Sequence, residues 1–95
     1  MKQFNPPHPG KFIHRTYIEP FDISARQIAT YLEVSPSTFS RLIAQESRIT
    51  PDMAIRLSKV LGRSPQSWLQ MQMNYDLWQA EQVSTHEELR KLELV

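Results

Sequence analysis

Ser24 to Ala44, SARQIATYLEVSPSTFSRLIA, is the stretch on which the reading of this 95-residue chain turns. Ala25, Ile28, Ala29 and Leu32 recur at the spacing that keeps one face of a helix dry. Glu33-Val34 interrupts that pattern. Ser35-Pro36 then restarts a helix, because serine is a favoured N-cap and proline at the first helical position loses no needed hydrogen bond. Phe39, Leu42 and Ile43 continue the buried face, which leaves Ser37, Thr38, Ser40 and Arg41 outward.

Two short helices joined by a turn of about three or four residues, the second with small polar side chains and an arginine outside, meet the needs of a helix-turn-helix DNA reader over 24–44. Small side chains let the helix backbone approach the major groove. Arginine can bond two acceptors on one guanine edge. Ser37, Thr38 and Arg41 are therefore assigned to base reading. Gln27, Ser35, Ser40, Gln45, Ser47 and Arg48 are assigned to phosphates and register.

The rest of the chain is compatible with that assignment. Ninety-five residues suffice for one domain, 1–95, and are too few for two. Two glycines and few β-branched residues favour an all-α fold. With zero cysteines there is no disulfide and no thiolate metal site, which fits a reducing cytoplasm. No apolar run approaches the roughly 20 residues of a membrane span. The net charge of +1 hides a gradient: residues 1–63 carry nine lysines and arginines against five acids, residues 64–95 two against five. A basic front and an acidic rear would orient the molecule on a polyanion.

Residues 1–9, with three prolines, read as an extended N-terminal arm expected to fray, with lying over the domain or reaching a partner as alternatives. Gly10 to Ile18 reads as a first helix carrying Phe12, Ile13 and Tyr17, stopped by Pro20. Asp22 or Ser24 caps the next. Thr50-Pro51-Asp52 opens a helix with Met53, Ala54, Leu57, Val60 and Leu61 on one face, and Gly62 ends it. Ser64-Pro65 opens the longest helix, to about Glu81. It carries two opposed apolar stripes: Trp68, Met71, Tyr75 and Trp78, and Leu69, Met73, Leu77 and Ala80. One stripe suffices for a surface helix, so two imply two packing partners. The economical second partner is another copy of the chain, and Leu69, Met73, Leu77 and Ala80 are assigned to that dimer interface. The alternative is that the last segment folds back over this stripe. Ser84 to Leu92 reads as a capped final helix with Leu89, Leu92 and Val95 apolar, which makes 65–95 a C-terminal helical dimerisation region.

No catalytic constellation is present. His8, His14 and His86 are scattered and lack a second ligand at metal-binding spacing, so they read as surface or capping residues, and no metal site is expected. Two glycines leave no phosphate loop. No cofactor is implied.

The 24–44 segment resembles the lambda-repressor-like (XRE) helix-turn-helix family. Ile49 to Trp78, ITPDMAIRLSKVLGRSPQSWLQMQMNYDLW, together with His8-Pro9-Gly10, is similar to HigA-type antitoxins of bacterial toxin–antitoxin modules. The resemblance covers roughly residues 8 to 80. It implies a fold of about five helices, a homodimer through the C-terminal part, and binding to double-stranded operator DNA that autorepresses the operon. It also implies neutralisation of a RelE-like, mRNA-cleaving toxin of the HigB type. In this sequence Glu33 stands where the motif often has glycine, so the turn must hold a side chain in unfavourable backbone angles. A stand-alone XRE-type repressor without a toxin is the alternative. A further one is an enzyme-inhibiting interaction module whose helix-turn-helix is a relic, against which the basic front argues. The acidic residues 81–95 are the expected toxin surface.

Overall fold

Caps decide where the helices begin. The computed structural model describes residues 4–94, and these form five helices with no strand among them. The first, α1 (Pro9–Ile13), is capped by His8, whose Nδ1 accepts from the Gly10 amide at 2.9 Å. It continues as a π-helical turn, His14–Ile18, in which the Glu19 amide reaches back to the His14 carbonyl at 2.9 Å. The helix expected over 10–18 is thus present but starts one residue earlier. Next come α2 (Ala25–Leu32), α3 (Pro36–Ile43), α4 (Pro51–Leu61) and α5 (Pro65–Val83). Each follows a hydroxyl cap, Ser24, Ser35, Thr50 and Ser64, that accepts from the amide three residues on. Of the two candidate caps for α2, Ser24 serves, and Asp22 instead occupies the left-handed region at φ 52°.

The turn after α2 accommodates Glu33 at φ 59°. The Glu33 amide bonds the Thr30 carbonyl and the Val34 amide the Ala29 carbonyl, the paired closure of a left-handed helix stop. Arg56 of α4 supplies further support. Its guanidinium donates to the carbonyls of Leu32 and Glu33 and to the Asp52 carboxylate. The hydrogen bond that Arg56 donates to the Asp52 carboxylate raises the Arg56 pKa above its ordinary value. A non-glycine residue is tolerated because the orphan carbonyls it leaves are satisfied from another helix.

The buried faces of α2, α3 and α4 share one core with Ile13 of α1 and Trp68 of α5, both fully buried. The Trp68 Nε1 donates to the Gly62 carbonyl at 2.9 Å, so the indole N–H is satisfied where it enters the core. Phe12 and Tyr17 pack on the same indole, and Arg63 lies over its ring. Ile49, just before the Thr50 cap of α4, is a core residue. Gly10 sets the approach of α1 to α3: a Cβ there would lie 1.9 Å from the Leu42 carbonyl oxygen.

Two expectations are corrected. The arm does not fray over its described part. Pro6, His8 and Pro9 are buried, His8 meets the Tyr75 ring edge-on at 4.9 Å, and Phe4 meets Trp78 at 4.8 Å. Prolines reduce the entropy lost when such a segment settles along α5. Met1–Gln3 and Val95 lie outside the described residues. At the other end, α5 stops at Val83, two residues beyond the expected end of the long helix, whereas the final helix expected over Ser84 to Leu92, and with it a helical region reaching 95, is not formed: 84–94 hold no helix. Leu89, Leu92 and Leu94 are exposed there. A segment this short needs an apolar face to pack on before a helix is stable, and these leucines have none.

Gly10→Ala is expected to destabilise the fold by about 1–3 kcal/mol, since the clashing atom is backbone and cannot swing aside. A lowered urea midpoint with unchanged m-value checks this.

Candidate nucleic-acid interface

Helix α3 owes its position to what holds its two ends. At the start, Ser35 Oγ accepts from the Thr38 amide at 3.1 Å and lies 2.8 Å from the Thr38 hydroxyl and 3.3 Å from that of Ser37. The three hydroxyls therefore form one cluster around the N-terminus of the helix. Along its inner side, Phe39 and Leu42 are fully packed into the core. With these two fixed, helical geometry turns Ser37, Ser40 and Arg41 to the exterior, and all three are exposed. Thr38 is half-buried by the Ser35 cluster. No ion pair of Arg41 is recorded among the described residues.

At its end, α3 is stopped by Gln45 at φ 65°, with the Gln45 amide bonding the Leu42 carbonyl and the Glu46 amide that of Arg41. The following loop is anchored from two directions. On one side the buried His8 ring donates from Nε2 to the Ser47 carbonyl at 3.0 Å. On the other, the Gln72 side chain of α5, only 2% exposed, accepts from the Ile49 amide at 2.8 Å and donates to Asp76 at 3.0 Å. Asp76 also pairs with Arg48.

The expected site residues therefore separate into groups. Ser37, Thr38 and Arg41 share the outer side of α3, with Ser35 and Ser40 on the same helix. Gln27 and Gln45 are exposed at the flanks, near the starts of α2 and the loop. Ser47 is half-buried, with its carbonyl taken by His8. Arg48 is committed to Asp76, so its guanidinium is less free to meet a phosphate than the others. The stripe on α5 is split: Leu69 is half-buried, Met73 is 59% and Leu77 53% exposed, and Ala80 is exposed. These four line an open groove of about 550 Å³ with Arg48, Ile49, Gln72 and Asp76. The opposite stripe, Trp68, Met71, Tyr75 and Trp78, turns toward the chain's own body.

The sequence places His8 as a surface or capping residue, and it does cap α1, but the sequence does not show that His8 is buried or that His8 and Gln72 fix the loop after α3. For His8 the available signal was the His-Pro-Gly triplet: cap, first-position proline and close-packing glycine in consecutive places. Gln72 sat between two apolar stripes and carried no signal. Among the described residues there is no group of three metal-ligating side chains, and no helix long and apolar enough to cross a membrane.

Residues 15–68 match the Helix-turn-helix family. Over 92 residues the chain is 41% identical to the uncharacterized HTH-type transcriptional regulator YddM of Escherichia coli K12, with 97% of each chain covered. It is similar to the structure of PA4674 from Pseudomonas aeruginosa in complex with its 18-bp operator DNA, at TM-score 0.88 and 31% identity over 95% of this chain and 100% of that one. It is also similar to the Pseudomonas aeruginosa antitoxin HigA with the higBA promoter, at TM-score 0.81 and 32% identity, covering 93% and 96%. Among these relatives are an HTH-type transcriptional regulator, a protein bound to its operator and an antitoxin with a promoter.

The His8 clamp carries a pH signature. Burial lowers the His8 pKa below its ordinary 6.5, the nearby Arg48 charge adds to this, and the bond to the Ser47 carbonyl opposes it. Nδ1 must stay unprotonated to accept from Gly10. The folded pKa lies below the unfolded one, so the contribution is fully present above about pH 6.5 and is lost as pH falls toward the folded value. The urea midpoint should fall between pH 7.5 and 5.5 more steeply in the native chain than in His8→Gln. Parallel slopes would refute the clamp.

Proposed function

The chain belongs to the Helix-turn-helix family, as an XRE-type DNA-binding domain with the fold of HigA-type antitoxins, and from that premise we propose that it is a cytoplasmic antitoxin that represses its own operon and neutralises a RelE-like, mRNA-cleaving toxin of the HigB type. The observation that carries the DNA-reading part is the exterior of α3. It presents Ser37 and Arg41 outward with Thr38 half-buried beside them, while Phe39 and Leu42 on the same helix lock it to the core. In this reading Arg41 forms a bidentate bond to a guanine, and Ser37 and Thr38 contact neighbouring base edges. Gln27, Ser35, Ser40, Gln45 and the Ser47–Arg48 loop set register on the phosphates, with Arg48 shared with Asp76.

The partly exposed stripe of Leu69, Met73, Leu77 and Ala80 supports a homodimer through α5. Two copies related by a two-fold axis would present two α3 helices to half-sites one helical turn apart. A stand-alone repressor is the second reading, favoured by the similarity to YddM, whose description names a regulator alone.

Purification of this chain together with the products of its own operon separates the two readings. A small basic partner that is lethal when expressed alone supports the antitoxin, and the absence of any such partner supports the repressor. Arg41→Ala is expected to cost about 1–3 kcal/mol per half-site and to relax sequence preference, read in a gel-shift titration against operator and mismatched duplexes. Met73→Asp with Leu77→Asp is expected to give a folded monomer by sedimentation, with weakened operator binding. A dimer of undiminished affinity would exclude this stripe from the interface.

A further inference from the structure

Beside the end of α3 lies a cleft of about 270 Å³ whose walls include Asn5 and Pro7 of the arm, Lys11 and Arg15 of the first helix, Gln45, and Tyr75. We infer that this cleft grips the sugar-phosphate backbone of the duplex strand bordering the groove that α3 reads. The inference rests on the DNA-reading role proposed above and adds a contact surface outside the helix-turn-helix itself.

Three observations carry it. The first is chemical: two cations and two carboxamides converge here, and no carboxylate lines the cleft. Lys11 and Arg15 are exposed, and no ion pair of either is recorded among the described residues. Such a set is suited to phosphate oxygens, which accept from guanidinium, ammonium and amide donors. The second is position. Recognition helices of this motif put their N-terminal residues on base edges, so the C-terminal end leaves the groove at its rim, where the backbone runs. Gln45 follows Arg41 by four residues, at that end. The third is rigidity. Gly10 brings α1 against the Leu42–Ile43 backbone, and His8 ties the arm to Ser47, so Lys11 and Arg15 are carried at a fixed offset from α3. Cations positioned this way lose less freedom on binding than cations on a loose arm.

The test uses the full-length chain carrying Lys11→Gln and Arg15→Gln, with thermal melts to show that the fold is retained. Affinity is measured by fluorescence anisotropy across a potassium chloride series, for operator and scrambled duplexes. Two lost phosphate contacts should reduce the slope of log K against log salt by about 1.8, at roughly 0.9 per contact. Weakening should be equal for both duplexes, leaving the discrimination between them unchanged. The tail pair Arg90→Gln and Lys91→Gln controls for net charge. The assignment is overturned by an unchanged slope, by a slope change no larger than that of the tail pair, or by weakening confined to the operator. A native chain that binds neither duplex would instead defeat the DNA-reading role itself.

Discussion

The loop from Gln45 to Ile49 is the constraint on which the geometry of this protein depends. It leaves α3 through a left-handed residue and must return to the core within a few residues. Its backbone polar groups would be costly to bury unsatisfied. His8 and Gln72 resolve this from opposite sides, one taking the Ser47 carbonyl and the other supplying an acceptor to the Ile49 amide. Both side chains are almost wholly removed from solvent, at 4% and 2% exposure. The position of α3 thus depends on contacts made by residues far away in sequence, the arm on one side and α5 on the other.

The same logic explains why the N-terminal arm is ordered over residues 4–8. His8 is at once the cap of α1, the clamp on the loop and an edge-on partner of Tyr75. Its ring satisfies both nitrogens only in the neutral form protonated on Nε2, so its protonation state and the placement of α1 are one question. Pro9 and Gly10 follow as the residues that such an arrangement needs. A first-position proline loses no hydrogen bond, and the absence of a Cβ permits the backbone of α3 to come close.

Helix α5 divides its labour. Trp68, Met71, Tyr75 and Trp78 close the core and receive the arm, while Gln72 and Asp76 fasten the loop after α3. Leu69, Met73, Leu77 and Ala80 remain along an open groove. A helix used on three sides has no single amphipathic direction, which is why two stripes and polar gaps alternate in its sequence. The tail beyond it shows the converse. Ser84 to Leu92 has a capping start and helix-forming residues, yet 84–94 form no helix, because local preference over so few residues does not offset the entropy of ordering them.

The residues by themselves determined the helices that carry strong local signals. Hydroxyl caps followed by proline, apolar spacing over Ala25–Leu32 and Phe39–Ile43, and the outward placement of Ser37, Ser40 and Arg41 all follow from interactions within one or two turns. So does the recognition of an XRE-type domain, since its spacing is local. Tertiary structure alone decided the settling of the arm, the burial of Gln72 and Ile49, the commitment of Arg48 to Asp76, and the non-helical tail. Each of these is settled by a partner between 23 and 74 positions away, or by the lack of one. Periodicity reports which side of a helix is apolar, but not which distant backbone amide a buried side chain will meet.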